Sequence, residues 1–128
     1  MDEFTIHIPR ERPFSAVADL VVGGIAARHD VTLDVLDDVQ LALDALLEHD
    51  EEDEREVAIV FRVGSDMIEA SVGPFAAKTA SALDERPGEG LDLRRLLETT
   101  MDSVSVREED GGAWVELRKG YVLAGTET

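Results

Sequence analysis

Val57-Ala58-Ile59-Val60-Phe61-Arg62-Val63-Gly64-Ser65-Asp66-Met67-Ile68-Glu69-Ala70-Ser71-Val72 is the stretch that decides the fold. Val57, Ile59 and Phe61 alternate with Ala58, Val60 and Arg62, an almost continuous apolar run suited to a central strand. Gly64-Ser65-Asp66 supplies a turn, and Met67 to Val72 returns as the second strand of a hairpin. Beyond it, from Gly73 to Gly90, the pattern dissolves into Gly-Pro, small residues and Arg86-Pro87-Gly88-Glu89-Gly90. A short helix is expected from Phe75 to Leu83, and a long loop otherwise; such loops in small domains usually carry function or move. Leu91, Leu93, Leu96, Leu97 and Met101 then mark a helix, and Val104 and Val106 alternate with serines in a strand. Asp110-Gly111-Gly112 is a hairpin turn, and Trp114 to Lys119 completes the pair. Val115 and Leu117 should face one way, and Trp114, Glu116 and Arg118 the other.

Upstream, Phe4, Ile6 and Ile8 alternate with Thr5 and His7 in a half-buried strand that Pro9 ends. Phe14, Val17, Leu20, Val21 and Ile25 are spaced by three and four, which predicts an amphipathic helix from Pro13 to about Arg28. Gly23-Gly24 inside it costs about 1 kcal/mol per Gly relative to Ala, so a close backbone approach or a local helix end is expected there. Thr32 reads as an N-cap, with Asp34 placed favourably for the helix dipole. Leu33, Leu36, Val39, Leu43, Leu46 and Leu47 mark the apolar face of the next helix, to about His49, with Asp34, Asp37, Asp38 and Asp44 opposite. Seven acids lie between Glu48 and Glu56 with only Arg55 against them, which predicts a solvated loop.

Strands joined by hairpins, with helices in separate blocks, give an α+β two-layer sandwich: one mostly antiparallel sheet of about five strands, covered by three helices on one face. One domain over residues 1–122 and a tail at 123–128 are expected. The 128 residues include 29 acids, 12 Lys and Arg and no Cys, for a net charge of -17. Thiolate metal sites and a Cys nucleophile are excluded, and so negative a surface disfavours nucleic acid and anionic membranes. An acidic start without a basic, apolar leader suggests the cytoplasm. The charge itself fits solubility, a salt-rich cytoplasm or a basic protein partner.

Candidate chemistry is sparse. His7 lies on the polar side of a strand, His29 near a helix C-terminus, and His49 beside Asp50, Glu51 and Glu52, where adjacent residues lack the spacing of a designed metal site. Asp44 and Glu48 are neighbours four apart on a helix, read as a solvated face rather than an acid–base pair. Gly88-Glu89-Gly90 before a helix could present N–H groups to a phosphate, though a plain loop into the helix is the simpler reading. No catalytic residue and no metal ligand is assigned.

Val39-Gln40-Leu41-Ala42-Leu43-Asp44, Gly90-Leu91-Asp92-Leu93 and Met101-Asp102-Ser103-Val104-Ser105-Val106 resemble bacterial anti-sigma factors of the serine/threonine-kinase type. The likeness spans residues 4 to 120 and implies the GHKL fold (histidine-kinase-like, or Bergerat, ATPase). That family places a base Glu and, four residues later, a magnesium-binding Asn on the second helix. Here the register puts Ala45 and His49 there; a shift of one gives Asp44 and Glu48. The family's adenine-reading Asp is missing from Ser71-Val72-Gly73-Pro74-Phe75, and only the last motif remains, as Gly88 and Gly90. The resemblance thus leaves His49, Gly73, Gly88 and Gly90 as a vestigial nucleotide site, with no ATP or magnesium expected. It implies a protein that sequesters a sigma factor, is relieved by an anti-anti-sigma protein, and can form a homodimer. Asp37, Asp38, Asp44, Glu48, Glu51 and Glu52 are the expected partner surface. The rival readings are an active ATP-dependent serine/threonine kinase and a domain that only oligomerises.

Overall fold

In a computed structural model, residues 2–9, 12–49, 56–75, 91–109 and 112–120 are described. The elements run β1 (Asp2–Ile8), α1 (Arg12–Arg28), α2 (Leu33–His49), β2 (Val57–Val63), β3 (Met67–Phe75), α3 (Leu91–Thr100), β4 (Ser103–Glu109) and β5 (Gly112–Gly120). The strands form one sheet in the order β1-β2-β3-β5-β4, and every neighbouring pair is antiparallel. The α+β expectation of five antiparallel strands and three helices therefore holds among the described residues.

Register turns the alternation into continuous rows. Phe4, Phe61, Ala70, Leu117 and Val104 align across the five strands, and so do Ile6, Ile59, Val72, Val115 and Val106. The central members of both rows are buried, and the members on β1 and β4 are half-buried. Val22 and Ile25 of α1, Val39, Leu43 and Leu46 of α2, and Leu97 of α3 join them in one core. Each such side chain contributes about 1.5–3 kcal/mol by leaving water, so these rows dominate the stability of the sheet.

The opposite face of the sheet stays wet and is neutralised across strands. Glu3, Arg62, Glu69 and Arg118 align in a row of alternating sign. Arg62 Nε lies 3.1 Å from Glu3 Oε2, Arg118 Nη2 2.6 Å from Glu69 Oε1, and Arg107 Nε 3.0 Å from Glu116 Oε1. Each exposed pair adds only about 0.2–1 kcal/mol, but the row also keeps like charges from facing each other across strands.

Local signals set the boundaries. Asp30 adopts φ 56°, while Val31 N–H donates to Ala26 O at 2.9 Å and His29 N–H to Ile25 O at 3.0 Å. A left-handed residue with these bonds is how a helix stops and turns back. Leu36 N–H donates to Thr32 O at 3.0 Å, which places Thr32 at the cap position. β3 runs past the expected Val72 to Phe75, so Phe75 is a fully buried strand residue and does not begin a helix. The pairing shifts between Val72 and Phe75, where Pro74 has no N–H to offer the ladder. The rest of the stretch to Leu83 lies outside the described residues, as does the tail at 123–128.

The helix faces differ from the periodicity in one respect. Ala18, Val22, Ile25 and Ala26 form the inward side of α1, while Val17 and Leu20 are exposed; on α2, Leu33 is exposed. Small residues take the inward places where α1 meets α2 and the sheet, so the larger ones are turned outward. Gly23 and Gly24 do not interrupt α1, and an added Cβ at either meets nothing within 4 Å. Among the described residues, the close approach expected at that pair does not occur. Gly23→Ala should therefore raise stability by about 0.5–1 kcal/mol, read as a higher urea midpoint with an unchanged slope.

Candidate functional site

The outer side of α2 is the most distinctive described surface. Leu33, Asp34, Asp37 and Leu41 follow one another along it, all exposed, with Leu33 at 73% and Leu41 at 49%. Leu20 on the neighbouring α1 is 76% exposed. Scattered apolar residues on a surface need no explanation, but leucines interleaved with carboxylates on one helix face make an amphipathic strip that a partner can cover.

The other expected acids are used differently. Asp38 Oδ2 lies 3.0 Å from Lys119 Nζ, whose side chain is mostly buried, so this carboxylate ties α2 to β5. Asp44, expected on the solvated side, is half-buried and turned to α1, where its carboxyl shares a hydrogen bond with that of Asp19. The contact needs one proton between the two groups. Burial pushes the Asp19 carboxyl above the usual carboxylate range, and the hydrogen bond from Asp44 opposes that rise. Gln40 Nε2 donates to Asp19 O at 3.0 Å across the same helix pair. Glu48 lies in the last turn of α2 and its side chain is not described; Glu51 and Glu52 fall outside the described residues. Of the six expected partner residues, only Asp37 is placed as an exposed acid, and Asp34 joins it.

Of the expected nucleotide-site residues, only Gly73 and the backbone of His49 are described. Ala45 is half-buried on α2, and His49 is the last residue of that helix. Gly73 faces the wet side of the sheet, away from α2: an added Cβ would come 2.6 Å from Trp114 Cδ2 and 3.0 Å from Ala113 O. Its missing side chain makes room for the indole, which also lies under the Arg107 guanidinium at 5.9 Å. Gly88 and Gly90 lie outside the described residues. Among the described residues, no three His, Asp or Glu side chains come together to hold a metal ion. A shallow groove of about 180 Å³ does lie on the wet face, among Glu69, Ser71, Ser103, Ser105, Glu116 and Arg118. Within it Glu69 pairs with Arg118, and Glu116 pairs with Arg107 beside it.

His29 at the end of α1 places Nε2 3.1 Å from Asp2 Oδ2, which joins its helix-end position to an ion pair when the imidazole is protonated. His7 is exposed on β1, as its place in the alternation requires. Sequence reasoning missed the Asp19–Asp44 pair. The available signal was Asp19 itself, a lone acid within the apolar run from Ala16 to Ala27.

No family model matches the chain, and no curated protein matches it by sequence.

Two outcomes follow from this geometry. Because the folded state raises the Asp19 pKa, its contribution to stability is present below the unfolded carboxylate pKa and is lost as pH rises through the folded value. Asp44→Asn supplies an amide donor without a proton, so it should flatten that acid-side dependence and raise stability at neutral pH by about 0.5–1 kcal/mol, measured by denaturation across pH. Gly73→Ala should cost about 2 kcal/mol through overpacking against Trp114, and much less in a Trp114→Leu background.

Proposed function

We propose that the chain is a non-catalytic regulatory binding protein of the anti-sigma type. In this reading it has the histidine-kinase-like ATPase fold with a degenerate nucleotide site, and it sequesters a sigma factor through the outer side of α2. The observation that carries the reading is the exposed strip Leu33, Asp34, Asp37 and Leu41. Apolar and acidic groups presented together suit a partner whose docking segment is basic and amphipathic. The apolar part gives affinity, and the charge raises the association rate and makes it salt-sensitive. The element order and antiparallel sheet are compatible with the fold, and Ala45 at the place of the family's base supports the loss of catalysis. Among the described residues no helix is long and apolar enough to cross a membrane.

The test is binding to a panel of purified sigma factors of the source organism. One should bind with an affinity that falls as salt rises, and Leu41→Glu should weaken it by about 10-fold or more, since a buried anchor outweighs a rim charge. Asp34→Asn with Asp37→Asn should mainly slow association. Binding by no member of the panel, or binding indifferent to Leu41→Glu, would overturn the reading. Millimolar Mg·ATP should leave the melting temperature unchanged; a rise would mark the family's active kinase instead.

A further inference from the structure

We propose that the outer edge of β4 takes an extended segment of another protein as a sixth strand, with a basic side chain of that segment reaching over Ser105 to Glu116. The site is formed by β4 and β5 on the wet face, independently of the outer side of α2 and of the anti-sigma reading.

β4 ends the sheet on the side away from β1, and among the described residues β5 is its sole strand neighbour. Its other side therefore presents backbone donors and acceptors. Charges, proline and bulges are the usual guards of such an edge. Here Ser103-Val104-Ser105-Val106 run without charge or proline, and the four keep an unbroken register with β5. Val104 and Val106 lie on the helix face, half-buried and packed against the core from its inner side. A strand added to this edge completes their cover if it sets apolar residues opposite both.

The wet face decides the residue between those two. Ser71, Glu116 and Ser105 align in one row across β3, β5 and β4, and Glu69, Arg118 and Ser103 in the next. All six line the groove of about 180 Å³. Because β4 contributes only serines to it, no long side chain stands between Glu116 and the sheet edge. A residue opposite Ser105 on an added strand stands two strand spacings, about 10 Å, from Glu116. Arginine or lysine closes that distance towards a glutamate, and a shorter side chain does not. Glu116 holds one oxygen 3.0 Å from Arg107 Nε, and a carboxylate accepts a second cation on its other oxygen. The surroundings favour the same sign: between residues 102 and 109 the acids are Asp102, Glu108 and Glu109, against Arg107 alone. A basic residue between two apolar ones is therefore the complement of this edge.

Amide NMR of the isotope-labelled full chain tests this, with an end-blocked peptide of sequence threonine-threonine-valine-arginine-valine-threonine-threonine as the probe. The sequence is palindromic, so the same side chains meet β4 in either strand direction. The peptide should bind with a dissociation constant below about 1 mM and shift the amides of residues 103–108 and 116. N-methylation of one alternate set of its residues should abolish binding, and of the other set should leave it, because only one set turns its N–H groups to β4. Citrulline in place of the arginine should weaken binding about 5-fold in the wild type and not at all in Glu116→Gln. Glu3→Gln, at the opposite edge of the same face, should keep the full difference. No binding at about 1 mM, equal tolerance of the two methylation patterns, or a citrulline penalty that survives Glu116→Gln would each overturn the proposal. A dimer of the chain alone that the peptide disperses would show a second copy on this edge and would overturn it too.

Discussion

The fold depends on one constraint: the sheet has a dry side and a wet side, and a single alternation must serve both. Phe61, Ile59, Val72, Val115 and Leu117 supply the dry rows under the helices. On the other side charged residues stand in the intervening positions and pair across strands, Arg62 with Glu3, Arg118 with Glu69 and Arg107 with Glu116. A slip of one residue anywhere would bury this charge and expose the core rows, so register is fixed by both faces at once. Four of the chain's 12 Lys and Arg are thereby committed to the wet face or to α2: Arg62, Arg107, Arg118 and Lys119.

That commitment shapes the remaining surface. With the wet face balanced, the outer side of α2 keeps Asp34 and Asp37 exposed between Leu33 and Leu41. Inside, Ala18, Val22 and Ala26 keep α1 close to its neighbours. Asp19 meets Asp44 between the same two helices, where burial disfavours the charged form of Asp19 and the hydrogen bond from Asp44 opposes that effect.

The strands were legible in the sequence because their period is two, and Gly64-Ser65-Asp66 falls between β2 and β3 as its turn chemistry requires. The helices were legible in extent but less so in orientation. In α1 the periodicity of Val17, Leu20 and Val21 competes with that of Ala18, Val22 and Ala26, and size decided in favour of the alanines. The same limit hid the site: pattern alone placed Asp44 with Asp37, whereas the packing of α1 turns Asp44 inward and leaves Asp37 outside. Gly73 entered only through the family resemblance, and the packing of Trp114 over it depends on a pairing between β3 and β5 that no local motif encodes.

The central proposal is that α2 meets a protein with its outer side and binds no nucleotide at its end. Hydrogen exchange read by mass spectrometry on the full chain tests this most directly, in three states: alone, with Mg·ATP, and with a sigma factor that binds. The account predicts slowed exchange confined to residues 33–41 in the complex and no change with nucleotide. Slowed exchange around residues 45–49 and 73 with Mg·ATP, or a complex that leaves residues 33–41 unaltered, would contradict it.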